Sequence, residues 1–282
     1  MIPAEFDYVA PDSLDAALAA LREGGEDAKL LAGGHSLLPL MKLRLAAPTL
    51  LVDLRKVPGL DGIQPGGATV RVGSMTRHHA VATEPELGLA AKAAATIADQ
   101  QVRNRGTIGG TLAHGDPASD LPAVLLALEG SVIARAEHGE REIAAADLFQ
   151  DYLTTSLAEG EIITEVRLPS AAGWGAGYAK FNRRSEDWAM VAVCAAVRKA
   201  PDGSCEDVRV GLTNMAGVPL RATATEQALR GGGLDAGAIA AAAEHAAEGT
   251  DPPADLNASA DYKRQLARVL CRRALEEAAA AA

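Results

Sequence analysis

The chain has 282 residues, and a typical domain size of about 150 residues predicts two domains. Hydrophobic residues make up 48% and charged residues 23%, which is typical of a folded globular protein and excludes disorder of the whole chain. The net charge of −10 and the aromatic content of 3% argue against a nucleic-acid partner, which requires basic surfaces and stacking platforms.

The three cysteines, Cys194, Cys205 and Cys271, are far apart and form no Cys-x-x-Cys pair. This spacing argues against an iron–sulfur cluster or a zinc site on this chain, and it fits a reducing compartment. The N-terminal segment lacks the basic and apolar regions of a secretory signal, and the longest apolar run, 188–197, is shorter than the ~20 residues of a membrane helix. We therefore expect a cytoplasmic protein with no membrane span and no metal site.

The N-terminal part of the chain begins with alternating helix and strand patterns. Ser13 is a predicted N-cap for a helix in which Leu14, Leu18 and Leu21 share one face. A strand over 29–32, a helix over 37–45 and a strand over 50–54 follow, an order that favours parallel strands. The next predicted elements are a strand over 68–73, a helix over 86–98, a loop over 99–118, a helix over 121–128 capped by Ser119 and Asp120, and strands over 131–136 and 161–168.

The C-terminal part differs in pattern from the N-terminal part. Strands are predicted over 177–181, 190–197 and 207–213, helices over 223–229, 236–247 and 260–277, and fraying over 278–282. The Pro-, Ser- and Gly-containing segment 169–173 is the best joint between domains. The sequence therefore predicts an α+β protein with domains over 1–172 and 173–282.

The first candidate site is Gly33-Gly34-His35-Ser36, which follows a predicted strand and precedes a predicted helix. Glycines permit close approach to a ligand and positive φ, and successive backbone N–H groups before a helix suit a phosphate or pyrophosphate. A plain tight turn is the alternative, because a Gly-Gly pair alone is a weak motif.

The second candidate is the segment 105–117, in which Thr107 and Thr111 flank a pair of glycines. It is another close-approach loop, with a structural Ω-type loop as the alternative. Two such loops in one domain could hold a dinucleotide. Neither loop has the G-x-G-x-x-G or the Walker pattern, which disfavours the common dinucleotide-binding fold and phosphoryl transfer.

No residue pattern in the chain predicts acid–base or nucleophilic catalysis. His35 and His114 lie in the glycine-rich loops without a nucleophile at motif spacing, and backbone hydrogen bonding explains them better. His78 and His79 are adjacent, so in a strand they would point to opposite faces and could not bind one metal together. The charged turn 183–187 fits a solvated face or a subunit contact. We predict no catalytic residue, and a redox cofactor would carry the chemistry.

Both glycine-rich loops also carry a family likeness. Ala32-Gly33-Gly34-His35-Ser36-Leu37 and Thr107-Ile108-Gly109-Gly110 resemble the two FAD signatures of the flavoprotein (medium) subunits of molybdenum hydroxylases, the xanthine dehydrogenase and aerobic carbon monoxide dehydrogenase family. Further likeness at 2–8, 116–122, 211–214 and 258–262 extends the resemblance over nearly the whole chain. Within the family, the medium subunit of carbon monoxide dehydrogenase is the most similar.

The resemblance implies a fold, a cofactor and partners. The N-terminal domain would be a two-subdomain FAD-binding domain of the vanillyl-alcohol oxidase or PCMH type, followed by a small α+β flavoprotein domain. FAD would receive electrons from [2Fe–2S] clusters on a small subunit, which a molybdopterin-containing large subunit supplies, and would pass them to a quinone, NAD or another acceptor. A dimer of heterotrimers would be the assembly.

The resemblance also implies which residues contact FAD. They lie in both loops, at Asp120, and at three positions that the pattern alone would not single out: Ile97 and Ile163, where core packing is the alternative, and Lys180, where an exposed charge is the alternative. The implied residues are Lys29, Leu30, Leu31, Ala32, Gly33, Gly34, His35, Ser36, Leu37, Ile97, Thr107, Ile108, Gly109, Gly110, Thr111, Asp120, Ile163 and Lys180.

Three departures from the family pattern bear on the substrate. Thr111 stands where many relatives have Asn or Ser, and Asp151 stands where Gly is common. The stretch 181–188 looks more like the nicotine- and N-heterocycle-oxidising branch than like the best-known carbon monoxide enzymes. The same subunit of a nicotine, N-heterocycle or aldehyde dehydrogenase is therefore an alternative. Two others are independent of these departures: a flavin-free scaffold, if the glycine loops are only structural, and a self-sufficient flavin oxidase, for which the chain offers no good catalytic base.

Overall fold

The computed structural model describes residues 2–282, which form four β-sheets and eleven α-helices. The strands are β1 (Asp7–Val9), β2 (Ala28–Leu31), β3 (Leu50–Asp53), β4 (Ile63–Gly66), β5 (Thr69–Gly73), β6 (Ser131–Ala136), β7 (Gly139–Ala144), β8 (Phe149–Asp151), β9 (Thr154–Thr155), β10 (Ile162–Pro169), β11 (Gly175–Phe181), β12 (Val191–Lys199), β13 (Cys205–Thr213) and β14 (Leu220–Arg221). The helices are α1 (Leu14–Gly24), α2 (Leu37–Lys42), α3 (His78–Ala82), α4 (Leu89–Ala95), α5 (Gln100–Arg103), α6 (Ile108–His114), α7 (Asp120–Ala127), α8 (Ala145–Leu148), α9 (Thr223–Leu229), α10 (Ala236–Ala243) and α11 (Ala260–Ala281).

The first sheet is parallel, with the strand order β1-β3-β2, as the alternating helix and strand pattern predicts. The Ser13 hydroxyl accepts a hydrogen bond from the backbone N–H of Ala16 and so caps α1. Ala17 and Leu18 of α1 pack against Val52 of β3 in a small apolar core. This packing fixes β2 at one edge of the sheet, where its carboxyl end leads into the Gly33-Gly34 turn.

The second sheet is antiparallel, with the order β4-β5-β10-β6-β7. One core joins it to α4, α6 and α7, and this core extends to Cys194 and Ala196 on β12. The alternate residues Val191 and Val193 of β12 instead face α11 in a second core. The third sheet, β11-β12-β13-β14, is therefore covered on both faces, which explains the continuous apolar run of β12.

Helix α11 packs directly onto β11. A Cβ atom at Gly177 would lie 1.9 Å from the Ala274 carbonyl oxygen, so only glycine permits this approach. The prediction that 278–282 frays is wrong, because α11 continues to Ala281 and both Ala278 and Ala279 are buried. Contact with β11 compensates for the fraying tendency of a terminal alanine run.

The predicted loop over 99–118 is also wrong, because it contains α5 and α6. The Asp99 carboxylate accepts from the Val102 N–H at 2.8 Å, and the Thr107 hydroxyl accepts from the Gly110 N–H at 3.1 Å. Capping and the burial of Ile108 and Leu112 overcome the poor helix propensity of the glycines.

Two other predicted helices are shorter in the structure. Gly88, with φ +47°, separates a 3₁₀ turn from α4, so the helix predicted over 86–98 begins only at Leu89, and it ends at Ala95, shortly before Ala98 adopts φ +39°. The helix predicted over 37–45 ends at Lys42, shortly before Arg44 adopts φ +56°. Positive φ is incompatible with a right-handed helix, so both differences have the same backbone cause.

The adjacent histidines lie in helix α3 rather than in a strand, which corrects their predicted placement. His78 is buried and His79 is exposed. Within residues 2–282, no three His, Cys, Asp or Glu side chains converge as a metal site would require. The same residues contain no helix with the length and apolar content needed to cross a bilayer.

The contact between α11 and β11 gives a stability prediction. We expect Gly177→Ala to lower the free energy of unfolding by roughly 3 kcal/mol, because its Cβ forces two backbones apart. Gly217→Ala is the matched control, since its nearest neighbour lies at 3.5 Å, and it should stay within about 0.5 kcal/mol of wild type. Urea unfolding measures both, and equal unfolding midpoints would contradict the packing described.

Candidate functional site

A cavity of about 880 Å³ lies between the first sheet, the second sheet and β11. Its volume is near the upper end of the ~300–1,000 Å³ that is usual for ligand pockets, so it has room for a dinucleotide-sized ligand. Segments 29–37 and 107–111, which are distant in the sequence, both line it. The fold therefore brings the two predicted glycine-rich loops to one site.

All residues predicted to contact FAD line this cavity except Ile108. Nine of these lining residues, 29–37, extend from β2 to the first residue of α2, and four lie in α6 or at its N-cap, Thr107. Ile97 follows α4, while Asp120, Ile163 and Lys180 come from α7, β10 and β11. The Ile108 side chain is 2% exposed and packs in the core instead, so its contact with the cofactor stays a prediction.

The two glycine-rich loops touch each other at Gly33. A Cβ atom there would lie 2.5 Å from the Arg105 carbonyl oxygen and 2.7 Å from the Gly106 Cα. The Arg77 guanidinium donates to the same Arg105 carbonyl, and the His78 backbone N–H donates to the Gly106 carbonyl at 3.0 Å. The absence of a side chain at Gly33 is therefore a geometric requirement of the site.

The first loop presents free backbone donors. Gly34 has φ +78°, and within residues 2–282 no oxygen accepts from the backbone N–H groups of Gly34, His35, Ser36 or Leu37. All four residues line the cavity. A run of unsatisfied N–H groups in such a turn suits an anionic oxygen, so the loop fits a pyrophosphate.

The second loop differs from the phosphate-binding loop that the sequence suggests, because its N–H groups are already used. Gly109 donates to the Ser74 carbonyl at 2.8 Å, and Gly110 donates to the Thr107 hydroxyl at 3.1 Å. Ile108 and Thr111 likewise donate to backbone carbonyls. The loop therefore contributes close backbone approach to the site, whereas the first loop supplies the N–H donors.

A buried ion pair lines the cavity beside these loops. Lys180 Nζ lies 3.0 Å from the Asp120 carboxylate, and the two side chains are 6% and 4% exposed. Lys180 also donates to the Thr96 carbonyl at 3.3 Å, next to Ile97. Asp120 opens α7 and Lys180 lies on β11, so the pair joins the two parts of the chain and leaves little net charge at the cavity wall.

Some cavity residues were not predicted from the sequence. Ser74, His78 and Ser119 line the cavity. Within residues 2–282, neither the two serine hydroxyls nor His78 Nδ1 has a hydrogen-bond partner. Ser119 precedes α7 as predicted, but its hydroxyl makes no capping bond. The polar run Ser74 to His78 after a buried strand is the sequence signal that could have indicated part of this group.

The charged turn after β11 also reaches the cavity. Arg183 and Arg184 both lie within 4 Å of Asp187, at 3.6 and 3.7 Å. Glu186, Asp187 and the half-exposed Trp188 line the cavity, although the sequence favours a solvated face or a subunit contact for this turn. The C-terminal end of the segment over 181–188 is therefore part of the cavity rim.

Burial keeps His78 neutral. Desolvation is the main cause that lowers the pKa of His78 from 6.5 to about 4, and the nearby His35 and Arg77 lower it further. An unfolded chain therefore binds more protons than the folded one between these values. Stability from this residue is fully present above about pH 6.5 and is lost as the pH falls towards about 4.

We therefore expect wild type to lose about 2 kcal/mol of unfolding free energy through His78 on going from about pH 7 to about pH 5. Over the same pH range, the unfolding free energy of His78→Gln should fall by about 2 kcal/mol less than that of wild type, because glutamine does not titrate. His79→Gln, which changes the exposed neighbour, is the control and should behave as wild type. Urea unfolding at both pH values measures this, and parallel losses in all three proteins would contradict a buried neutral His78.

Comparison with known proteins identifies the family. Residues 4–171 match the FAD binding domain in molybdopterin dehydrogenase, and residues 176–278 match the CO dehydrogenase flavoprotein C-terminal domain. The chain is 43% identical to the carbon monoxide dehydrogenase medium chain of Hydrogenophaga pseudoflava, over 99% of this chain and 98% of that one. It is 41% identical to the nicotine 6-hydroxylase medium subunit of Paenarthrobacter nicotinovorans, over 97% of each.

Solved structures agree with this family over the full length. The carbon monoxide dehydrogenase from Hydrogenophaga pseudoflava matches with a TM-score of 0.95 and 44% identity, over 99% of both chains. Quinoline 2-oxidoreductase from Pseudomonas putida 86 matches with a TM-score of 0.94 and 33% identity, also over 99% of both. The α+β fold with an FAD-binding domain and a smaller C-terminal domain is thereby confirmed. The chain belongs to the FAD-binding medium subunits of the molybdenum hydroxylases, the family of the carbon monoxide dehydrogenase medium chain.

Proposed function

We propose that this chain is the electron-transfer subunit of an aerobic carbon monoxide dehydrogenase. It takes electrons from the [2Fe–2S] clusters of a small subunit and passes them to a quinone or NAD. The observation that supports this most is the cavity where the first glycine-rich loop, with its four free N–H groups, meets the second. FAD bound there supplies the reversible one- and two-electron chemistry that the chain itself lacks.

Each part of the site has a proposed task. The N–H groups of residues 34–37 bind the pyrophosphate, and residues 107–111 close over it from the other side. Leu30 and Leu31 line the same cavity, as do the half-buried Ile97 and the buried Ile163, so apolar contact and exclusion of water fall to them. Asp120 and Lys180 present a compensated pair of charges to the cofactor. No side chain of this chain acts on the substrate, which is oxidised on a molybdopterin-containing large subunit.

The proposal includes the assembly and the domain organisation. The domains extend over 1–172 and 173–282, and the Asp120–Lys180 pair crosses their contact. The partners are the small [2Fe–2S] subunit and the large subunit, in a dimer of heterotrimers. The complex works in the cytoplasm, which is consistent with three free, buried cysteines in the described part of the chain.

A nicotine or other N-heterocycle dehydrogenase is the second candidate. The chain is 40% identical to the alpha subunit of the 6-hydroxypseudooxynicotine dehydrogenase complex of Paenarthrobacter nicotinovorans, against 43% and 40% for two carbon monoxide dehydrogenase medium chains. Residues 186–188 of the segment that the resemblance places nearer the N-heterocycle-oxidising branch lie at the cavity rim. A flavin-free scaffold is not supported, because the chain belongs to an FAD-binding family.

The proposal predicts one FAD per chain. The purified full chain, before or after addition of FAD, should show a flavin absorbance spectrum that dithionite bleaches, and mass spectrometry should identify the released cofactor as FAD. A folded chain, verified by circular dichroism, that takes up no flavin would refute the proposal. Turnover of a small substrate by the chain alone would instead support a self-sufficient oxidase.

The assembled complex distinguishes the two candidates. With its partner subunits, the complex should reduce a quinone or NAD with carbon monoxide as electron donor. Turnover of an N-heterocycle and not of carbon monoxide would select the second candidate without affecting the FAD assignment.

The glycine geometry predicts which variants lose FAD. Gly34→Val should abolish FAD binding, because a β-branched residue disfavours φ +78° and its Cβ would lie 2.9 Å from Leu38 Cδ1. Gly203→Val is the matched control, since Gly203 has φ +85° but no neighbour within 4 Å. It carries a similar backbone strain of about 1–2 kcal/mol and should retain FAD. Stoichiometric FAD in both variants would refute the role of the first loop.

Gly110→Val should also abolish FAD binding, for a different reason. Gly110 lies in α6 and has no positive φ, so backbone strain plays no part there. Its Cβ would instead lie 2.7 Å from the Thr107 hydroxyl and displace the N-cap of the helix. Titration with FAD measures the loss, and full FAD occupancy in this variant would exclude the second loop from the site.

A further inference from the structure

A tyrosine hydroxyl lies behind the ion pair of the cavity wall. Tyr178 OH donates to Asp120 Oδ1 at 2.5 Å, in a part of the molecule that joins β11 to α7. Asp120 and Lys180 line the cavity, whereas Tyr178 does not. The hydroxyl therefore reaches the cavity only through the carboxylate that it holds.

The alternation of β11 explains this arrangement. Tyr178 and Lys180 are two residues apart, so both side chains leave the same face of the strand and reach Asp120. Each supplies one donor to the buried carboxylate. Because Asp120 is 4% exposed, bulk water has little access to its carboxylate, and a lost donor is poorly replaced.

The position of Tyr178 is itself fixed on both sides of the strand. Its backbone N–H donates to Glu277 Oε2 at 3.0 Å, and Glu277 forms a 2.5 Å ion pair with Lys92. Its ring packs against the apolar core that includes Cys194. The tyrosine therefore has little freedom to move away from Asp120.

The protonation state of Tyr178 suits a permanent donor. Burial, and then the negative charge of Asp120, raise the pKa of its hydroxyl well above the ordinary value of 10. Cys194, the ionisable side chain opposite it on β12, is neutral because burial raises its pKa to about 12. The other charged groups that contact Tyr178 or its partner Asp120 are Glu277, which is paired with Lys92, and Lys180.

We propose that Tyr178 is a positioning residue for the cofactor site. Its hydroxyl fixes the Asp120 carboxylate, and through it Lys180, in the arrangement that contacts FAD. Without the hydroxyl, the carboxylate keeps only Lys180 Nζ, which lies 3.0 Å from both of its oxygens, and the pair is free to reorient. This inference rests on the proposed function, because it concerns the same site.

The first test is a double-mutant cycle on FAD affinity in the full chain. Tyr178→Phe removes one oxygen and keeps the packed ring, and should raise the Kd for FAD roughly 10-fold. In the Asp120→Asn background, Tyr178→Phe should raise the Kd for FAD by a smaller factor, because the neutral amide oxygen accepts a weaker hydrogen bond from the hydroxyl than the carboxylate does. Multiplied together, the fold-increases in Kd of the two single variants should exceed the fold-increase of the double variant by about 3-fold or more.

The second test measures the midpoint potential of the bound flavin. A carboxylate that has lost one donor is less compensated, so its negative charge disfavours electron uptake nearby and the potential in Tyr178→Phe becomes more negative. Tyr152→Phe changes an exposed tyrosine on the β8–β9 hairpin and is the control. It should leave both the Kd and the potential unchanged.

Several outcomes would overturn the inference. A Tyr178→Phe protein with a lower melting temperature but with wild-type Kd and potential would assign Tyr178 a purely structural role. A cycle in which the two substitutions act independently would do the same. Both results leave the proposed function standing, whereas a wild-type chain that binds no FAD refutes the proposed function and this inference with it.

Discussion

The backbone of Gly33 approaches the backbone of residues 105–106 so closely that no Cβ atom fits between them. This contact determines how the rest of the site is arranged. It sets the first loop, with its free N–H groups, against a second loop whose N–H groups at residues 108–111 already have protein acceptors. Arg77 and the His78 backbone N–H donate hydrogen bonds to the carbonyls of Arg105 and Gly106, so the contact joins the parallel sheet to the elements that follow β5. The cavity is the space that this junction leaves open.

Polar contacts across the chain complete the cavity on its far side. Asp120 from helix α7 and Lys180 from strand β11 meet where both side chains are almost fully buried. A buried ion pair of this kind is a modest source of stability, because desolvation offsets much of its attraction. Its value here is geometric, since it fixes β11 against α7 at the wall of the site.

The sequence predicts the local features of this protein well. Glycine pairs after a strand, alternating strands and capped helices depend on neighbouring residues, so the first loop, the order of β2 and β3 and the span of β6 are confirmed. Packing decides the features that are wrong. The capped, buried helix α6 occupies a glycine-rich stretch, and Ala278 is ordered by contact with β11.

In the candidate site as well, the sequence indicates the local motifs but not the long-range contacts. Both loops are visible as motifs, but the partnership of Asp120 with Lys180 spans 60 positions, and no local pattern encodes it. Lys180 alone resembles an exposed charge on a strand. Its position became an expectation only through likeness to a family. His78 has no motif at all, because its neutrality comes from burial that only the folded chain provides.

The packing of α11 on β11 has a consequence for biosynthesis. A ribosome makes residues 260–281 after every element that lines the cavity, yet β11, which carries Lys180, has one face covered by α11. Until that helix emerges, an apolar sheet face is open to solvent and to chaperones. The wall of the cofactor pocket that β11 provides therefore gains its support only once residues 260–281 have been made and have packed against it.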